Sequence, residues 1–563
     1  YDEQQEERVA VGSIGQFING QLTTDANGEP SGYSRFNRSF RETNYDLLVN
    51  FDKNLSKNLN LKALVGGNIR QTTVSSIQAK TNGGLVIPKF YALSNSLNPV
   101  NPPVEALTKL EVDGLFAGLT LSYKDMLVLD ATGRRDKSST LPEANNTYYY
   151  PSVSGGFIFS KLLPSAKWLN YGKVRANYAE VGNSAPALSV NDTYNHDNNA
   201  VSFGTATLFS VAGTKNNSNL KPERTKSIEA GLELSMLKNR FGADVTFYNT
   251  KSVDQILPVG VSTATGYNFE FVNAGVIRNQ GVEVSLNGTP VKSRNFSWTV
   301  TLNWSQNRSK VLSLYDTSKN LLITNFQSDV TLNAAIGEPY GTLRGSNYVY
   351  QDGQRLVKTN GFYQKSATSN EVIGNINPDW IGSISNTFKY KDLALSFLID
   401  VRKGGDVFSL DMYYGLATGL YPETAGNNDL GNPVRNPLDQ GGGIVLPGVT
   451  ADGKPNDIRA DISNFYGAYG YVRNPSAAFV YDASYVKLRE LALTYSLPSS
   501  LMKKLNPVKS IDLSLVGRNL WIIHKNLPYA DPEEGTSSGN IQGLQTGAYP
   551  SVRSIGFNVN VKF

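Results

Sequence analysis

The 563-residue chain contains no cysteine, which excludes a disulfide scaffold and a thiolate metal centre. That absence suits a protein assembled through a periplasm, where stray thiols bring no advantage. Histidine occurs only as His196 and His524, so His-dependent catalytic triads have few candidates, and neither adjoins a Gly-x-Ser-x-Gly elbow. His-Glu-x-x-His, phosphate-loop and Asp-x-Asp-x-Asp-Gly patterns are also missing. Charged residues make up only 18%, against about a quarter in ordinary globular domains. The net charge is +5, and no Lys/Arg cluster alternates with aromatics, so no nucleic-acid surface is expected. No run approaches roughly 18 consecutive apolar residues, which excludes helical membrane spans. The mean hydropathy of −0.30 fits a soluble protein, and equally a barrel in which half of each strand faces water. The opening segment, Tyr1-Asp-Glu-Gln-Gln-Glu-Glu7, carries no initiator Met and no signal-peptide core. An exported protein starting this way is expected to have lost a segment before residue 1.

What the chain does have is Gly (51), Tyr (30) and Phe (24), set in segments of strict alternation. Side chains alternate across a strand with period two. In the last thirteen residues Ile555, Phe557, Val559, Val561 and Phe563 share one face, while Ser554, Asn558, Asn560 and Lys562 share the other. The clearest case is 296–305, where Phe296, Trp298, Val300, Leu302 and Trp304 oppose Ser297, Thr299, Thr301, Asn303 and Ser305. Aromatics at both ends of an apolar face match membrane girdles, and Trp298, Trp304 and Phe563 are assigned that role. Similar segments recur at 45–52, 59–70, 115–123, 172–182, 228–234, 241–247, 393–401 and 511–515. In 484–497 the phase slips near Arg489-Glu490, which predicts a bulge. The period-two criterion gives roughly 16 to 18 strands and no long amphipathic helix. Links at 237–240 and 290–295 are short, while 71–106, 186–222 and 404–470 read as long loops rich in Gly, Pro, Asn and Tyr. Short turns on one rim and long loops on the other are the outer-membrane arrangement. The expected fold is therefore all-β, a transmembrane antiparallel β-barrel spanning 1–563 without a linker-like break.

Several segments resemble the SusC-like family of TonB-dependent outer-membrane transporters of Bacteroidetes. They are Asn219-Leu-Lys-Pro-Glu-Arg-Thr225 with its continuation to Leu234, the strand at 240–254, and Asn273-Ala-Gly-Val-Ile-Arg-Asn-Gln-Gly-Val-Glu283. Ile376-Asn-Pro-Asp-Trp-Ile-Gly382, Gly404-Gly405-Asp406, Ala483-Ser-Tyr-Val-Lys-Leu-Arg489 and the closing Val559-Asn-Val-Lys-Phe563 follow in the family's order. The resemblance covers residues from about 115 to 563 and implies a plugged barrel of about 22 strands, of which this chain is the C-terminal portion. It implies bacterial outer-membrane localisation and energy-coupled import of a nutrient too large for porins, with oligosaccharide ahead of oligopeptide. A SusD-like surface lipoprotein, the TonB complex, outer-membrane lipid and the N-terminal remainder of the transporter are the implied partners. The plug domain and TonB box are not recognisable in the chain, so the resemblance places its natural start before Tyr1. A passive porin or secretion barrel, and a soluble multi-sandwich adhesin, are the competing readings.

Catalytic residues and cofactors are not expected. His196 lies in a solvated Asn/Asp loop, and Asp452, Asn456, Asp457 and Asp461 are candidates for a Ca²⁺ cluster against a plain surface turn. Asp531-Pro-Glu-Glu534 resembles the family's acidic turn before the last strand and is assigned a loop-shaping role. Ligand or partner contact is expected from Tyr413, Tyr414, Tyr421, Phe465, Tyr466, Tyr469 and Tyr471, because aromatic faces stack on sugar rings and peptide side chains. Loop packing is the alternative for 464–471. Tyr148-Tyr149-Tyr150 reads as girdle ahead of ligand cluster. Arg134, Arg135, Asp136, Glu229, Glu233, Asp244 and Glu283 are expected on the polar wall, where buried charges must be paired or wet.

Overall fold

The computed structural model describes residues 2–10, 17–18, 21–22, 32–87, 89–196, 208–462, 466–502, 505, 507–535, 539, 541–547 and 551–563. Among the described residues, sixteen strands are hydrogen-bonded in chain order. They are β1 (Asp2–Ala10), β2 (Gly32–Ser56), β3 (Leu59–Lys80), β4 (Val104–Tyr123), β5 (Leu127–Ser138), β6 (Thr147–Phe157), β7 (Leu169–Asn183) and β8 (Glu223–Met236). The series continues with β9 (Phe241–Val253), β10 (Val276–Lys292), β11 (Phe296–Ser313), β12 (Trp380–Tyr390), β13 (Leu393–Lys403), β14 (Tyr485–Ser496), β15 (Ser510–Lys525) and β16 (Ser554–Lys562). The count falls at the lower end of the expected range. Two compact units divide the chain.

The first unit comprises Tyr1–Gly155, Tyr178–Lys226 and Ser252–Ala274. Here β2 and β3 run 25 and 22 residues, paired without interruption from Ser34↔Lys80 to Asn54↔Asn60. A tilted strand crosses a bilayer in about 9–11 residues, so half of each strand stands in water. This corrects the expected loop at 71–106, because β3 continues through Gln71–Lys80 and the true link is 81–103. Both faces of that extension are mostly polar, Gln71, Thr73 and Ser75 on one and Thr72, Ser76, Gln78 and Lys80 on the other, so no apolar alternation marks it. Alternation also separates Arg134 from Arg135. Arg134 pairs with Phe116 and shares its face with Asp136, whereas Arg135 pairs with Leu115 and lies on the apolar face. Placing Arg135 on the polar wall was therefore wrong, since neighbours in a strand cannot share a face. The Arg134 guanidinium donates to Asp136 (2.7 Å), Tyr150 (2.9 Å) and Asn68 (2.7 Å). Tyr148 and Tyr150 stack at 5.9 Å, and Tyr148 is buried, while Tyr149 is exposed on the other side.

The second unit comprises Gly156–Asn177, Ser227–Lys251 and Gly275–Phe563. Its links alternate short and long. The short ones are 237–240, 293–295, 391–392 and 497–509; the long ones are 314–379, 404–484 and 526–553. The link expected at 290–295 is shorter because β10 resumes at Val291 after a bulge that accommodates Thr289 and Pro290. A bulge tolerates proline, which cannot donate to the ladder. The slip near Arg489 is also a bulge. Leu398 pairs with Glu490 and Ile399 with Leu488, leaving Arg489 as the extra residue. Its effect is to keep Leu488 and Leu491 on one apolar face.

The long links of this unit pack into cores of their own. One gathers Val330, Val407, Phe408, Met412, Tyr413, Phe479, Ala483 and Leu527. A second gathers Val357, Phe362, Tyr363, Val434, Leu446, Ala460 and Ile462, and a smaller one Leu332, Leu343 and Ile376. A short helix, α1 (Leu410–Ala417), lines the first; the Ser409 hydroxyl accepts from Met412 N–H (3.2 Å) as its N-cap and donates to buried Gln545 (2.6 Å).

Candidate functional site

Two constellations in the second unit carry chemistry. The first grows from the bulge in β14. Tyr485, Lys487 and Arg489 project from the polar side of that strand toward Asp400 of β13 and toward Asp531 and Glu533 of the link 526–553. Lys487 Nζ, almost fully buried, donates to Asp531 and Glu533, each at 2.5 Å. Arg489 donates through Nη2 and Nε to Asp400 (2.7 and 2.8 Å) and through Nη2 to Glu533 (2.5 Å). The Tyr485 hydroxyl donates to Glu533 (2.8 Å) and lies 3.2 Å from Asp400. The Ser551 hydroxyl and the Glu533 N–H complete Asp531 at 2.7 and 3.0 Å. Burial works to raise the Glu533 pKa, but hydrogen bonds from Arg489, Lys487 and Tyr485 outweigh it and hold the carboxyl at about 2. Asp531 is likewise held below its ordinary value, Lys487 and the Glu533 N–H overcoming burial. The three carboxylates exceed the two cations, so the cluster keeps one net negative charge while every member is bonded.

The polar wall continues on neighbouring strands. Arg175 grips Asp244 with two bonds of 2.9 and 2.7 Å, and Asn177 donates to Glu229 at 3.1 Å. A groove of about 390 Å³ runs past Asp244, Thr246, Glu283, Ser285, Asn303 and Asp400. Asp244 and Glu283 thus lie on the face expected of them.

The second constellation is aromatic. Tyr413 stacks on Tyr471 (4.3 Å, 9°) and meets Tyr414, Phe408 and Phe479 edge-on. Tyr413 is buried in the first loop core, while Tyr414 presents an exposed ring. Tyr421 stacks on Tyr529 (4.2 Å, 5°), whose hydroxyl reaches both Glu423 oxygens at 2.9 Å. Tyr469 packs against the second loop core and Tyr466 stands exposed. Four of the seven expected aromatics are thus brought together in two neighbouring stacks, two serve elsewhere, and Phe465 lies outside the described residues. Trp298 Nε1 donates to Asn386 (2.9 Å) and its ring stacks on Phe388 at 5.8 Å. Trp304 is half-buried, six residues along the same face, and pairs with Val284 of β10. Phe563 is exposed at the end of β16.

Among the expected cation ligands, Asp452 accepts from Thr450 (2.6 Å) and Lys454 (2.8 Å), and Asn456 Nδ2 donates to the Leu446 carbonyl (2.8 Å). Among the described residues no three His, Asp or Glu side chains converge as a metal site would require. The His196 side chain lies outside the described residues. Sequence reading missed Asp400, Tyr485, Lys487, Glu423 and Tyr529 as site residues. The phase slip at Arg489 and the family-like segment Ala483–Arg489 were the local signals for the first group.

The family model described as TonB dependent receptor-like, beta-barrel, matches residues 12–520. TonB-dependent receptor P26 of Formosa agariphila is 26% identical over 92% of this chain and 53% of its own length. TonB-dependent receptor SusC of Bacteroides thetaiotaomicron is 26% identical over 35% of this chain and 20% of its own. The solved RagAB peptide transporter superposes with a TM-score of 0.73 at 20% identity, covering 94% of this chain and 56% of that one. The chain spans about half the length of the curated relatives it matches over most of its residues. It belongs to the TonB-dependent receptor-like β-barrel family of outer-membrane transporters, and its antiparallel sheet is membrane-spanning barrel wall.

Proposed function

We propose that the chain supplies most of the wall and the ligand-facing loops of a TonB-dependent importer for an oligosaccharide too large for porins. The observation that carries this reading is the packing of the second unit's long links into cores that present the Tyr421–Tyr529 stack, Glu423 and Tyr414. Preformed aromatic faces beside a carboxylate suit a sugar ring and its hydroxyls, and a packed platform lowers the cost of ordering loops on binding. The remaining part of the transporter contributes the plug and the first strands, and a SusD-like lipoprotein covers the extracellular side. The wall carboxylates Asp244, Glu283 and Asp400 favour a second reading, an oligopeptide with basic groups; peptide is also the cargo for which the RagAB transporter is named. Calorimetric titration of the full transporter and its lipoprotein with oligosaccharide and oligopeptide pools separates the two. Binding confined to peptides overturns the saccharide assignment, and uptake that persists without TonB overturns energy coupling.

A further inference from the structure

The short links of the second unit share a chemistry that transport does not use. All but 497–509 set a basic residue beside an aromatic at a strand end, Lys167 by Trp168, Arg240 by Phe241, Arg294 before Phe296 and Lys391 by Tyr390, and β16 closes on the same pair, Lys562 by Phe563. Trp168, Tyr390 and Phe563 are each more than half exposed. The Lys391 ammonium lies 5.4 Å from the Tyr390 ring centre. The first unit repeats the pair once, with Lys124 5.3 Å from Tyr123.

These links are neighbours. Backbone bonds pass from one to the next: Leu237 N–H to Trp168 (2.7 Å), Thr289 to Arg240 (2.7 Å), Lys391 to Asn295 (2.8 Å), Ser496 to Asp392 (2.8 Å) and Lys509 to Lys562 (2.7 Å). Among the described residues of 158–168, 237–240, 292–295, 389–392, 507–509 and 562–563 there are ten Lys or Arg and one acid, Asp392. The long links 314–379, 404–484 and 526–553 hold eighteen acids against ten bases. The whole chain has 53 bases and 48 acids, so the sorting is by side of the membrane and not by composition. Lys238, Arg240, Arg294 and Lys391 take no part in the ion pairs of this unit's described residues.

Aromatic rings settle at headgroup depth, and adjacent Lys or Arg side chains extend to the phosphates. Short turns face the periplasm. We propose that this row of cation–aromatic pairs binds the headgroups of anionic glycerophospholipids in the periplasmic leaflet, so that the barrel carries a selected anionic lipid shell on that side only. The attraction acts within a Debye length of about 8 Å and is weakened by salt.

The test is electron paramagnetic resonance on the full-length transporter reconstituted in phosphatidylcholine, with spin-labelled phosphatidylglycerol or phosphatidylcholine as probe. Phosphatidylglycerol should associate about threefold more strongly at low ionic strength and approach parity in 1 M salt, where screening reaches about 3 Å. The variant K238Q/R240Q/R294Q/K391Q should lose at least half of that preference, whereas K319Q/K358Q/K454Q on the long links should keep it. Equal association of the two lipids with the unmodified protein overturns the proposal. So does a preference that survives 1 M salt or the quadruple substitution, or row-dependent binding to peptidoglycan sacculi without lipid preference. If the quadruple variant does not insert, the salt titration of the unmodified protein decides alone.

Discussion

Lys487→Met is the substitution with the most decided consequence. It keeps the length of the stem and removes the charge that holds two carboxylates at 2.5 Å in a nearly inaccessible position. Removing one partner of a buried ion pair costs about 3–5 kcal/mol, because the other charge is left without compensation. The low end applies, since Asp531 retains the Ser551 hydroxyl and the Glu533 N–H, and Glu533 retains Arg489 and Tyr485. A loss of about 3 kcal/mol is small against the strand ladder, so it should appear as local opening of the link 526–553 and not as unfolding of the wall. At about 1.4 kcal/mol per decade, exchange of the Glu533 and Glu534 amides should accelerate roughly a hundredfold, while amides of β14 change little. The double variant Lys487→Met/Asp531→Leu removes both charges and should recover most of the protection at Glu534, whose N–H bonds the Asp531 backbone carbonyl, whereas the Glu533 N–H loses its side-chain acceptor. Exchange within about threefold of the unmodified protein, or a double variant as open as the single one, would refute the reasoning.

Other outcomes follow from the same geometry. Glu533 has its carboxyl lowered from an ordinary 4.5 to about 2, so its contribution is fully present above pH 4.5 and lost as pH falls toward 2. Protease access to 526–535 should stay constant from pH 8 to 5 and rise only below that window. Tyr529→Ala removes the partner of Tyr421 and the hydroxyl on Glu423; ligand affinity of the full transporter should drop by about tenfold, with wall stability unchanged by thermal melting. Arg134→Met leaves Asp136, nearly inaccessible, with only the Tyr150 hydroxyl. It should destabilise the first unit by about 3 kcal/mol, read as faster exchange in β5 and β6.

What could be read from the chain follows the medium each residue meets. Where a strand has lipid on one side and water on the other, alternation is forced, and β11, β13, β15 and β16 are legible for that reason. The bulge at Arg489 was legible too, because an apolar face interrupted by one residue leaves a phase error. Gln71–Lys80 was not, since a strand mostly polar on both faces carries no alternation. The contacts of the site were hidden by distance along the chain. Lys487 meets Asp531 44 residues away, and Tyr421 stacks on a ring 108 positions later. No local pattern records such pairings; they depend on how the long links pack on each other. Arg134 and Arg135 show the opposite failure, because strict alternation already forbade a common face.

The lengths of β2 and β3 bear on how the cell surface is defended. At about 3.3 Å per residue and a tilt near 40°, a 25-residue strand rises about 60 Å, more than twice the apolar band of about 25 Å. The excess is laddered backbone, and a protease cleaves only a segment it can draw out as an unpaired strand. An attacker in the medium therefore meets fencing where a loop would have offered a free end to pull. Among the described residues of β2, β3, β4 and the link between β3 and β4, the tip at 81–103 is what lies open to digestion, and what stands between it and the membrane is armoured by its own hydrogen bonds.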